Sequence, residues 1–113
     1  MNAGFFRNWT SQVRKGLLEL AILRDIGRRR MYGYEMEKKF CKRDGLLLSE
    51  GTIYMILQRF RRQGLVKTRQ TRSPDGPERR YYELTTAGRQ TLARMNAYWQ
   101  AIGRQMDSTG KGR

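Results

Sequence analysis

Between Ser49 and Gly64 the sequence reads SEGTIYMILQRFRRQG, and its polar side chains are of the types that recognise anions and the edges of bases. Wound as a helix at about 100° per residue, it brings Ile53, Ile56, Leu57 and Phe60 to one side, an apolar stripe of the kind that packs into a core. The opposite side collects Gly51, Met55, Gln58 and Arg62, with Thr52 and Arg59 along one edge and Tyr54 and Arg61 along the other. A major groove displays acceptors on guanine, a donor and acceptor pair on adenine and a methyl on thymine, all of which arginine, glutamine, threonine and tyrosine can read. Ser49 opens the segment as an N-cap, its hydroxyl set to accept from an orphan amide. Gly51 lets backbone come close to a phosphate at the first turn, where free amides favour anions. Taken alone, three arginines on an exposed helix are ordinary solvated charge.

The rest of the chain changes that reading. Against 24 lysines and arginines stand 10 aspartates and glutamates, for a net charge of +14. Solubility alone asks for a magnitude of about 2 to 8. An excess of this size draws polyanions, nucleic acid foremost, because each neutralised phosphate releases condensed counterions. The chain has no histidine, so the commonest acid–base catalyst and the commonest nitrogen metal ligand are both missing. With Cys41 the single cysteine, neither an intrachain disulfide nor a cysteine-based zinc site can form, as suits a reducing cytosol, and a core thiol is its expected role. No nucleophile–base pair, metal cluster or phosphate loop is visible, so no catalysis, metal or cofactor is expected. No apolar run approaches the roughly 20 residues that cross a bilayer, and the opening MNAGFF is too short for a signal-peptide core. The expected setting is the cytoplasm, without a membrane partner.

Periodicity supplies the elements that must position the basic face. A helix is expected from an N-cap at Thr10 or Ser11 to Ile26, with Val13, Leu17, Leu18, Leu20, Ala21, Ile22, Leu23 and Ile26 as its apolar set. That set is too broad for one face and predicts cover from the domain on one side and from a second copy on the other. Gly27 and Arg28 to Arg30 end it. A shorter helix is expected over 33–42, burying Tyr34 or Met36 with Phe40 and Cys41, and stopping at Gly45. After Gly64 the period shifts toward two. Leu65 to Gln70 suit a strand, Ser73-Pro74-Asp75-Gly76-Pro77 a loop, and Arg79 to Leu84 a returning strand rich in tyrosine. This hairpin carries Lys67, Arg69, Arg72, Arg79 and Arg80, suited to phosphates. From Thr85 or Thr86 to about Met106 the chain is helical again, with Leu92, Met95, Trp99, Ile102 and Met106 at steps of three and four, the seam of a helix pair. The tail from Asp107 looks frayed.

The expected fold class is therefore mainly α with a small β-hairpin wing: a winged helix-turn-helix over 10–85, then a long C-terminal dimerisation helix over 86–107. Residues 1–9 and 108–113 are expected to be flexible or partner-packed ends. In that architecture the last helix of the triplet enters a groove of the duplex.

The chain also resembles the PadR family of transcriptional regulators in four motifs that follow in order. They are Tyr32-Gly33-Tyr34-Glu35, then Ser49 to Tyr54, then Gly64-Leu65-Val66, then Arg80-Tyr81-Tyr82-Glu83-Leu84-Thr85 followed by Gly88. The resemblance spans roughly residues 13 to 102. It implies a bacterial homodimer, usually a repressor, on a palindromic operator held through this helix and wing. Carried over by position, Ser49, Gly51, Thr52 and Tyr54 lie at the DNA, with Arg59 and the basic residues of the wing assisting. Met55 stands where the family often has proline, a departure that should alter groove contacts more than the fold. The short form of the family ends in a single long helix packed on the partner subunit, which 92–106 resembles. Some short members hold flat aromatic molecules between two tryptophans at the dimer centre, and Trp99 lies on the corresponding helix. A tryptophan in such a stripe more simply fills an interface.

The resulting expectation is a sequence-specific regulator that contacts double-stranded DNA through Ser49, Gly51, Thr52, Tyr54, Met55, Gln58, Arg59, Arg62, Lys67, Arg69, Arg72, Arg79 and Arg80. Its homodimer pairs through Leu17, Leu92, Met95, Trp99, Ile102 and Met106, with Trp99 also the candidate contact for a small aromatic effector. The competing reading is an architectural DNA-binding or RNA-associated basic protein, held by phosphates alone, whose affinity follows charge and not sequence.

Overall fold

The computed structural model describes residues 3–42, 50–71 and 79–111. Among them the elements follow in the order α1 (Ala3–Arg28), β1 (Met31–Tyr32), α2 (Gly33–Lys42), α3 (Glu50–Arg62), β2 (Val66–Thr71), β3 (Arg79–Leu84) and α4 (Thr86–Lys111). The strands form one antiparallel sheet ordered β1-β3-β2, with Met31 opposite Tyr82 and Val66 opposite Leu84. The architecture is the winged helix-turn-helix with a long C-terminal helix. The expectations at Ser49, Gly45, Arg72 and the 73–77 loop, and that for the Cys41 side chain, lie outside the described residues.

One apolar cluster holds the three-helix unit to its sheet. Leu18, Ile22, Leu23 and Ile26 of α1 meet Met36 and Phe40 of α2, Ile53, Leu57 and Phe60 of α3, and Met31, Val66, Tyr82 and Leu84 of the strands. Met36, not Tyr34, supplies the α2 contact; Tyr34 stays 40% exposed. The two-residue period of the wing sends Val66, Tyr82 and Leu84 inward, while Lys67, Arg69 and Glu83 share the outer face. Asp25 is buried against α2, with Lys39 Nζ at 2.7 Å as an ion pair that lacks hydrogen-bond alignment.

Two of the sequence motifs turn out to be halves of one joint. Gly64, at φ 74°, closes α3: its N–H donates to Arg61 O at 3.0 Å, and Leu65 N–H donates to Phe60 O at 2.9 Å. Thr85 then ties the wing's end to that turn. Its hydroxyl donates to Gly64 O at 2.6 Å and accepts from Gly88 N–H at 3.0 Å, capping α4. A Cβ at Gly88 would stand 1.9 Å from Leu65 O, so only glycine lets α4 start where it does.

Three elements differ from expectation. α1 begins at Ala3, and Thr10 is no cap: its hydroxyl donates back to Arg7 O at 2.9 Å inside the helix, the local bond that makes mid-helix threonines look like caps. The rhythm of Phe6, Trp9, Val13, Leu17 and Leu20 runs through that point without a break. At the other end α1 continues to Arg28, and Gly27 admits α4: a Cβ there would lie 2.9 Å from Leu92 Cδ2. β1, two residues long, is too short to show a period, yet it turns the hairpin into a three-stranded sheet. α4 runs past Met106 and the start of the tail, to Lys111.

Candidate nucleic-acid interface

α3 is held by its apolar side. Ile53 and Leu57 are fully buried and Phe60 nearly so, with Ile56 packed at the edge of the core. This fixes what the helix shows: Gly51, Tyr54, Met55, Gln58, Arg59, Arg61 and Arg62 are exposed and Thr52 is half-buried. Met55, the departure noted against the resembled family, is 70% exposed, so it projects outward and leaves the core untouched. Gly51 has open space around it and is not required by packing.

The cations of the surface divide by their partners. Arg59 is paired with Glu19 across the groove between α1 and α3, a groove that Arg14, Lys15, Gln58 and Arg62 also line. On the wing, Glu83 holds Arg69 at 2.7 Å and Lys67 at 3.7 Å. Arg62, Arg79 and Arg80 enter none of the ion pairs among the described residues. Neither pairing was legible in the sequence: Glu19 meets Arg59 through tertiary placement, and Glu83, though part of the fourth motif, meets Lys67 and Arg69 through the strand register of the hairpin.

The Tyr32-Gly33-Tyr34-Glu35 motif lies where α2, α3 and the wing meet. Glu35 sits in the first turn of α2 and reaches back to accept from Tyr32 N–H at 2.9 Å, the return arm of a capping box. Its other oxygen takes Arg29 at 2.9 Å. The Arg29 hydrogen bond, followed by that of Tyr32, holds the Glu35 carboxyl below the ordinary glutamate value. Gly33 is buried beneath the Tyr54 ring, since a Cβ there would meet Tyr54 Cε1 at 2.9 Å. The motif thus seats the first turns of α3.

The residues expected between copies separate as well. Leu92 and Met95 pack against the chain's own core, and Leu92 also touches Gly27 of α1. Leu17, Met95, Trp99 and Ile102 line an open apolar groove between α1 and α4, together with Leu20 and Tyr98. Met106 is 69% exposed beyond it. The expected start of α1 at Thr10 or Ser11 left out Phe5, Phe6 and Trp9, which form an exposed aromatic stripe on the first turns of α1.

The model of the transcriptional regulator PadR-like family matches residues 22–94, from the buried half of α1 through α3 and the wing into α4. The chain belongs to the PadR-like family. Among solved structures, a PadR-like transcriptional regulator from Bacillus cereus strain ATCC 14579 is 32% identical with a TM-score of 0.78, the match covering 90% of this chain and 99% of that one. Bacillus subtilis PadR, solved in complex with operator DNA, is 26% identical with a TM-score of 0.60, over 68% of this chain and 45% of its own. An uncharacterised protein of Lysinibacillus sphaericus is 27% identical over 99 residues, 86% of this chain and 91% of that protein. Both the exposed start of α1 and the end of α4 fall outside the PadR-like match. No described helix is long and apolar enough to cross a membrane.

Proposed function

We propose that this PadR-like protein is a homodimeric, sequence-specific DNA-binding repressor that acts in the cytoplasm on an operator with dyad symmetry. The reading rests on one observation above the others: α3 buries Ile53, Leu57 and Phe60 while turning Met55, Gln58 and Arg62 outward. Such a helix reaches base edges, and a basic wing beside it meets phosphates. The operator complex of the Bacillus subtilis relative supports the same use of the fold. Dimerisation is supported by the apolar groove of Leu17, Trp99 and Ile102, which a second copy's α4 can fill. Trp99 is read here as an interface residue; quenching of its fluorescence by a flat aromatic compound, lost in Trp99→Ala and kept in Trp9→Ala, would add an effector site to that role.

Competition separates this reading from that of a general basic protein. Unlabelled duplex DNA should displace a labelled duplex from the full chain, whereas structured RNA should fail, because the deep, narrow A-form groove does not admit a helix. RNA that competes better than duplex would favour the RNA-associated alternative.

A further inference from the structure

Tyr34 has no part in the core, yet it is fixed from three sides. Its ring stacks on Tyr32 with centroids 5.7 Å apart and planes at 21°. Lys38 Nζ lies 5.8 Å from its centre, and its hydroxyl accepts from Arg79 NH1 at 2.9 Å. The guanidinium of Arg79 stands 5.2 Å from the Tyr34 ring and 5.7 Å from the Tyr32 ring. Sheet register explains the meeting: Met31 lies opposite Tyr82 and Tyr32 opposite Tyr81, so two further places set residue 34 against residue 79, although the chain has by then turned into α2. Tyr32 and Tyr81 meet edge to face at 5.5 Å, and the Arg30 guanidinium lies 4.5 Å from the centre of the Tyr81 ring.

The result is an arginine whose long side chain is already ordered and which enters no ion pair among the described residues, the Glu35 carboxylate feeling its charge only at longer range. That sets it apart from Arg59, Arg69 and Lys67, each of which is paired with a glutamate. The hydroxyl of Tyr34 accepts from Arg79 and so keeps its own hydrogen to donate, beside the remaining N–H groups of the guanidinium. Adjacent phenol and guanidinium donors suit the unesterified oxygens of a phosphodiester. The notch also takes in Tyr54 of α3 and Arg80 of the wing.

We propose that this notch is a seat for one phosphate of the DNA backbone, with Arg79 as the binding cation and Tyr34 as its positioning residue, which rests on the DNA-binding reading above. A phosphate held there touches the wing, the start of α2 and the start of α3 together, and so fixes how α3 enters the groove. Within the wing, Arg79 carries the phosphate contact, whereas Arg69 serves Glu83.

The test is the salt dependence of affinity of the full chain for a mixed-sequence duplex, read by fluorescence anisotropy. Arg79→Gln should lower the slope of log K against log salt by about 0.9 for each subunit's lost contact. Tyr34→Phe keeps the stack but loses the hydroxyl, and should weaken binding about two- to tenfold, the range of one ordinary hydrogen bond. The double variant should be no weaker than Arg79→Gln alone, and Arg69→Gln should leave the slope nearly unchanged. Each variant is at an exposed site and should melt with the wild type. An unchanged slope in Arg79→Gln, wild-type affinity in Tyr34→Phe, or an equal loss in Arg69→Gln would overturn the seat while leaving the DNA-binding reading intact. A wild type that does not bind duplex at all would overturn both.

Discussion

Gln58 and Arg59 are neighbours on α3, but they face a ligand with different freedom. Gln58 is exposed, and Arg59 must first leave Glu19. Replacing Gln58 or Arg62 by alanine should therefore relax preference at particular base pairs, by about 1–3 kcal/mol at each, as read from binding to single-base variants of a selected site. Glu19→Gln should instead raise affinity for every duplex alike, since it releases a cation and removes a nearby negative charge; lower or sequence-selective affinity would argue that the pair is needed to hold α3. The glycines make an opposed pair of predictions. Gly88→Ala drives a methyl into the Leu65 carbonyl and should cost about 1–3 kcal/mol, seen as a lower thermal midpoint. Gly51→Ala meets open space and should fold at least as well as the wild type, while weakening duplex binding where the backbone approaches phosphate.

Among the elements, α2 depends most visibly on one ionised side chain. Glu35 is held below its ordinary value by Arg29 and by the Tyr32 amide. A depressed folded value means that its contribution is full above the unfolded value and is lost as pH falls through the folded one. Glu35→Gln should therefore lower the thermal midpoint at neutral pH and flatten its fall from roughly pH 5 downward; parallel wild-type and variant curves would show that the ion pair adds nothing. How far such elements could be read in advance followed from period and punctuation. The bounds of α2 and of β3 were legible, as were the buried stripe of α3 and the stop at Gly64. The start of α1 was not, because Thr10 and Ser11 imitate a cap that the helix runs through. Nor was β1, whose two residues gain meaning only from the pairing of Tyr32 with Tyr81. The basic set of the wing was legible as charge, but its division by Glu83 and Tyr34 was not, since partners far apart in sequence decide it.

At the scale of the whole molecule, the chain is too long for its mass. Its radius of gyration is 16.8 Å and its longest extent 62 Å, where a compact domain of this length would have a radius of about 13 Å. The excess comes from α1 and α4, each of 26 residues. Every residue from Ala3 to Gly16 is exposed apart from half-buried Thr10, and Phe5, Phe6 and Trp9 lie on that stretch. A second copy that covers these helices would remove the exposed apolar surface and set two α3 helices on one duplex. Leu17→Glu or Ile102→Glu should then give a monomer by sedimentation and lose most operator affinity; a dimer in both variants would place the contact elsewhere. The central claim, that α3 reads bases as one of a symmetric pair, is tested most directly by selecting bound duplexes from a random pool with the full chain. The selected duplexes should carry two related, inverted half-sites with centres one helical turn, about 34 Å, apart or a multiple of it. A pool that emerges with no preferred sequence, its affinity set by duplex length and salt alone, would contradict it.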